Sequence, residues 1–178
     1  MVDLRDRVTE DRGLLKNIQL AIPGFRGYRK REDLRIADSL LRVQLADKIK
    51  TDVSAPLENA REAAAKALNL DVMNEIGELI SKVSLAEKKV RHADQGYSGI
   101  SPNYRIDQDQ LEALYDYDLN MIGLVESMSQ EAESILLDAE TGDFMSMKKS
   151  CAQTKKNAVL FLNVFKERHN TMADLGAF

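Results

Sequence analysis

Val72-Met73-Asn74-Glu75-Ile76-Gly77-Glu78-Leu79-Ile80-Ser81-Lys82-Val83-Ser84-Leu85-Ala86-Glu87-Lys88-Lys89-Val90-Arg91-His92-Ala93 decides the fold class. Val72, Ile76, Leu79, Val83, Ala86, Val90 and Ala93 recur at alternating spacings of four and three, which places them on one stripe of an α-helix and reads as a bundle-forming heptad. A strand would alternate with period two, and no such run stands out anywhere in the chain.

Downstream, the same rhythm continues. Asp107 is placed to cap a helix of about 35 residues that carries Leu111, Leu114, Met121, Val125, Met128, Ala132, Ile135 and Ala139 at heptad spacing, with Asp118 in the remaining core slot. Gly142-Asp143 ends that helix and caps the next, where Phe144, Met147, Cys151, Thr154, Ala158, Phe161, Phe165 and Met172 repeat the pattern.

Upstream, Asp52 and Ser54 are N-cap types and Pro56 suits a first helical turn, so a break is expected at 51–54, followed by an alanine-rich helix over 55–68. Asn69 suits a left-handed C′ position and Asp71 a cap, a second stop. Either stop can reverse the chain. From Tyr28 to Thr51, Leu34, Ala37, Leu41, Leu45 and Ile49 form one apolar stripe and Ile36, Leu40 and Val43 widen it, which predicts a helix buried on more than one side. Residues 2–21 show a broken helical spacing around Gly13 and read either as a helix docked on the bundle or as an arm able to lie on a membrane surface.

The expected architecture is therefore all-α: an antiparallel up-down, coiled-coil-like bundle of four main helices plus an N-terminal helix, as a single domain over 1–178, with 1–21 as its one semi-independent piece. Composition agrees, with 44% hydrophobic and 30% charged residues and only three Pro among 178. The lone Cys151 allows no internal disulfide, the first seven residues lack the apolar core of a signal peptide, and the longest apolar run near the end, Ala158–Leu162, is far short of a membrane span. These features predict a cytoplasmic protein. Net charge is −4 but unevenly spread: residues 107–147 hold eleven Asp or Glu and no Lys or Arg, whereas residues 148–178 hold six Lys or Arg against two Asp or Glu.

Several chemistries lack their residues. His92 and His169 are preceded three places earlier by Lys89 and Lys166 rather than by Glu, so the paired Glu-x-x-His ligands of a two-metal bundle site are missing, and no zinc ligand set appears. Cys151 lies on an apolar stripe and reads as a buried, inert thiol. Phosphate-cradling glycine motifs are absent, and Gly24-Phe25-Arg26-Gly27 matches an RNA-gripping Gly-x-x-Gly only in letters, because that module needs a sheet. The expectation is a non-enzymatic protein with no cofactor, no metal and no nucleic-acid partner.

What remains is Ile22-Pro23-Gly24-Phe25-Arg26-Gly27-Tyr28-Arg29-Lys30-Arg31, where glycines, aromatics and cations fall together before a helix, and a second loop, Asp94-Gln95-Gly96-Tyr97-Ser98-Gly99, that echoes it. One reading makes Arg26, Tyr28, Arg29, Lys30, Arg31 and Tyr97 a contact surface for a protein partner. An alternative makes the cations at 26–31 a site for an anionic ligand or a lipid headgroup on an anionic membrane surface. A third reading is structural: Phe25, Tyr28 and the glycines plug the bundle end against Tyr97 and Tyr115, and Arg29 or Arg35 pairs with Asp118. Asp118 in a core slot has to be paired, protonated or near an exposed end; its position favours the last two, and with Arg91, His92 and Arg105 near in sequence as partners, a structural salt bridge is favoured over an acid or base role. Arg35, Asp38 and Asp118 are thus assigned as structural, buried polar residues. Exposed heptad seams also make a homodimer an expectation.

Gly24-Phe25-Arg26-Gly27-Tyr28-Arg29-Lys30-Arg31-Glu32, Arg35, Ala37-Asp38, Arg42, Ala93-Asp94-Gln95-Gly96-Tyr97-Ser98-Gly99 and Leu114-Tyr115-Asp116-Tyr117-Asp118 together resemble an uncharacterised family of small all-helical prokaryotic proteins. Its pattern reads Pro-Gly-Tyr-x-Gly-Tyr-Lys-x-Lys-Glu-x-Arg-Arg-x-Ala-Asp-x-x-x-Arg, then Ala-Asp-x-Gly-Tyr-x-Gly, then Leu-Tyr-x-Phe-Asp. Leu34 stands where the pattern has its first Arg, Phe25 replaces a Tyr and Tyr117 a Phe. The resemblance covers 22–42 and 93–118 and implies no activity; it implies that the two loops and Asp118 occur together.

Overall fold

The structure, a computed structural model, describes residues 4–27, 31–93 and 108–174. The protein is all-helical: α1 (Leu4–Ala21), α2 (Arg31–Lys48), a π-helical turn (Ile49–Ser54), α3 (Ala55–Lys66), α4 (Leu70–Arg91), α5 (Gln108–Thr141) and α6 (Phe144–Asp174), with no strand among the described residues. The heptad residues of 72–90, 114–139 and 147–172 are buried, so the apolar stripes read from the sequence are the stripes that build the core.

The break expected at 51–54 does not occur. Lys48, Ser54 and Ala55 all keep right-handed helical angles, and α2, the π turn and α3 form one rod. Pro56 has no N–H to give to the carbonyl four residues back, and its ring crowds that carbonyl; a π turn ending just ahead of it widens the helix and lets the rod pass through. Ile49 and Val53 of the turn are buried, which secures it by packing.

The reversal comes at 67–69. The N–H of Asn69 donates to Ala64 O at 3.1 Å and the N–H of Leu68 to Ala65 O at 3.0 Å, the paired closure of a Schellman end. The left-handed residue is Leu68 (φ 56), not Asn69 as expected; Asn69 instead caps α4, its side chain accepting from the Val72 N–H at 3.3 Å. The α5–α6 turn follows the same plan: Gly142 takes φ 79, Asp143 N–H donates to Asp138 O, and the Asp143 carboxylate accepts from Ser146 N–H at 3.1 Å. Here the ending and capping expected of Gly142-Asp143 are seen.

Helix contacts place four rods at the corners of a square. The edges are α3 with α4, α4 with α6, α6 with α5 and α5 with α3, while α4 and α5, consecutive in the chain, make no contact among the described residues. Asp118 meets Arg168 and Glu131 meets Asn157, so α5 and α6 are antiparallel. Glu78 meets Lys155 near the start of α4, and Lys89 lines a groove with Lys166 near its end, so α4 and α6 run in the same direction. α1 continues through Gly13 and packs on α5, with Ile18 and Ile22 fully buried. Of the second apolar stripe of α2, Leu40 is partly buried against the core, while Ile36 and Val43 are not covered by the described residues. Ile36 is 64% and Val43 42% exposed, because only the Leu34–Leu41–Leu45 side faces α4 and α5.

Candidate functional site

Two features meet at the end of the bundle where α2 begins and α4 ends. The first is the turn after α1. Gly24 and Gly27 both take positive φ (86° and 87°), as the sequence requires, and Phe25 between them is buried. Gln19 Nε2 donates to Phe25 O at 3.0 Å and Gln44 Nε2 to Pro23 O at 2.9 Å, clamping the turn to α1 and α2. A β-carbon on Gly27 would stand 2.8 Å from the Tyr115 hydroxyl oxygen and 3.1 Å from Leu15 Cδ1, so glycine is needed for space as well as for angle. Arg26 is exposed.

The second is a buried ionic network. Arg168 on α6 donates through Nε to Asp118 Oδ1 on α5 and through Nη1 to Asp38 Oδ1 on α2, both at 2.5 Å. The other Asp38 oxygen accepts from Arg42 Nε at 2.8 Å, and Arg42 Nη1 donates to the carbonyls of Val90 (3.2 Å) and Ala93 (2.9 Å) where α4 ends. No member is more than 4% exposed. Two cations and two anions cancel, and the carbonyls that α4 leaves without partners are met by a guanidinium. Among the described residues the one buried side-chain polar atom without a hydrogen bond is Glu131 Oε2, so the network is internally satisfied.

Asp118 is therefore fully buried and paired, which corrects the expectation of a protonated or end-exposed carboxyl. Its partner comes from the far end of the chain. Arg91 turns instead to Asp47 and Glu87. The signal for Arg168 was present but unread: in the last helix's heptad, 168 is the core slot between Phe165 and Met172, and folding the chain back at 142–143 sets it level with slot 118. Two charged residues of opposite sign in facing core slots of one hairpin imply each other.

Compared with models of protein families, with curated proteins and with solved structures, the chain matches none. The site is therefore read from its own chemistry. A guanidinium stays charged across the ordinary pH range, so the Arg168–Asp118 pair is suited to fixing helices and poorly suited to moving a proton. Asp38 is buried in the network, and Arg35 is half-buried on α2. Tyr28, Arg29, Lys30, Tyr97, Arg105 and the Asp107 cap lie outside the described residues, and Arg31 opens α2. Cys151 is fully buried, and burial pushes its thiol up to about 11, in keeping with an inert side chain. His92 is the C-cap of α4, and the His169 ring lies tilted at 38° to that of Phe165, 6.3 Å between ring centres.

Proposed function

We propose that the protein is a non-enzymatic adaptor of the cytoplasm, an up-down, coiled-coil-like bundle in one domain, that contacts a protein partner through the end formed by residues 22–31 and 94–105. The observation that carries this reading is the Pro23–Gly27 turn: its backbone is clamped from behind by Gln19 and Gln44 and anchored by buried Phe25, while Arg26 faces solvent. A cation on a preorganised backbone loses little freedom on binding, which favours recognition. We further propose that the uncharacterised family with the same motifs shares the network, because Asp38, Arg42 and Asp118 are motif positions.

Pull-down with the wild-type chain and with Arg26→Ala/Tyr28→Ala tests the reading. A partner should be retained by the first and lost by the second at unchanged helical content and melting temperature. An identical set of bound proteins, or an unfolded variant, sinks it. A second reading, an anionic lipid headgroup at the same turn, is favoured by Leu20, which is 77% exposed in the last turn of α1. Salt-sensitive sedimentation with anionic over neutral liposomes would support that reading.

A further inference from the structure

Opposite faces of the square carry opposite charge that is unpaired among the described residues. Between α4 and α6 lies a groove of about 440 Å³ with Val159, Leu162 and Phe165 against its floor, Lys89, Lys166 and His169 on its rim, and no carboxylate among its lining residues. Val159 is 48% exposed, and the two lysines are exposed with no ion pair among the described residues. The face opposite is formed by α3 and α5, since α3 does not touch α6 and α4 does not touch α5. There Glu126, Glu133 and Glu140, seven residues apart, occupy one position of the α5 repeat. Glu140 lines a groove against α3 together with Leu136 and the Glu62–Lys66 ion pair, which cancels its own charge. All three α5 glutamates are exposed and make no ion pair among the described residues. Leu137 beside them is 60% exposed.

These two rows cannot reach each other within one molecule, but they can between molecules. We infer that the protein associates with a second copy of itself head to tail, the α5 glutamate row of one copy seating on the lysine-rimmed α4–α6 groove of the next. At the rise of an α-helix the glutamate row Glu126–Glu140 spans about 21 Å and the α6 side of the groove, Val159–His169, about 15 Å, so the row is long enough to cover the groove. Apolar side chains at both, Leu137 on one and Val159 with Leu162 on the other, supply the desolvated centre that a charge-only contact lacks. A symmetric contact of like faces would set glutamate against glutamate or lysine against lysine, so complementarity selects the heterologous arrangement, which closes into a ring or extends. This surface lies on the helices' sides and is independent of the Pro23–Gly27 turn.

Light scattering and sedimentation velocity on the full chain test the inference. The wild type should exceed its 20.0 kDa chain mass at low salt, more so with rising concentration, and fall back as salt is added. Glu126→Lys/Glu133→Lys and Lys89→Glu/Lys166→Glu should each associate at least tenfold more weakly alone. An equimolar mixture should restore association, since the reversed row of one variant fits the reversed groove of the other, and their two unreversed faces fit each other. That restoration separates lost complementarity from lost folding. A wild type that stays at 20.0 kDa at every concentration, or a mixture no larger than its components, overturns the inference.

Discussion

Replacing Arg168 with Met keeps an unbranched chain of similar reach in the core slot but removes the guanidinium that serves Asp118 and Asp38 at once. Both carboxylates are buried, at 0% and 2% exposure, so water cannot take over the lost hydrogen bonds without opening the bundle. Removing one partner of such a pair costs about 3–5 kcal/mol. At this chain length each kcal/mol shifts the midpoint by roughly 2–4 °C, so thermal unfolding followed by circular dichroism should show a drop of about 6–20 °C. Adding Asp118→Leu should then recover at least about 1 kcal/mol, because the stranded charge goes with its partner while Asp38 keeps Arg42. An Arg168→Met melt within about 1 kcal/mol of wild type would refute the reasoning, as would a double variant equal to the sum of its singles within about 0.5 kcal/mol. Breaking the solvent-exposed Glu62–Lys66 pair is the control and should leave the melt almost unmoved.

Leu68→Gly should raise stability by up to about 1 kcal/mol: it relieves the left-handed strain on an exposed leucine, offset in part by the greater freedom of glycine when unfolded, and a lower urea midpoint would contradict the Schellman assignment. Gly27→Ala should destabilise by about 2 kcal/mol, since strain at φ 87 adds to the clash with Tyr115; an unchanged midpoint would show that the turn can move. The hydrogen bond from the Ser146 N–H holds the Asp143 carboxyl below the usual carboxylate range, so its stabilisation is present above the ordinary pKa of about 4 and is lost as pH falls through the lowered value. Asp143→Ala should therefore lower the melting temperature at neutral pH and converge with wild type in strong acid; a difference independent of pH would point to packing instead.

Resolving Arg168 as the partner of Asp118 needed only a step beyond the heptad, because two hairpin helices joined by a short turn have a register that counting reveals. The straight passage through 51–54 was not legible in the same way. Asp52, Ser54 and Pro56 are the residues of a helix start, and local preference points to a break; burial of Ile49 and Val53 between α2, α4 and α5 outweighs it. Ile36 and Val43 looked like core because hydrophobic spacing records which side chains share a face, not whether another element lies over that face.

By itself, the sequence determined that the chain is helical, where its buried stripes run, that Gly24 and Gly27 sit where the backbone needs positive φ, and that Gly142-Asp143 turns α5 into α6. Those properties are local, set by periodicity of about 3.6 residues and by steric limits on single residues. Only the tertiary structure decided that α4 lies beside α6 rather than α5, that Arg42 closes the end of α4, and that α2, α5 and α6 are joined through Arg168. Such choices depend on which desolvated charges can satisfy one another across long stretches of chain, 130 residues between Asp38 and Arg168, and no local window holds both partners.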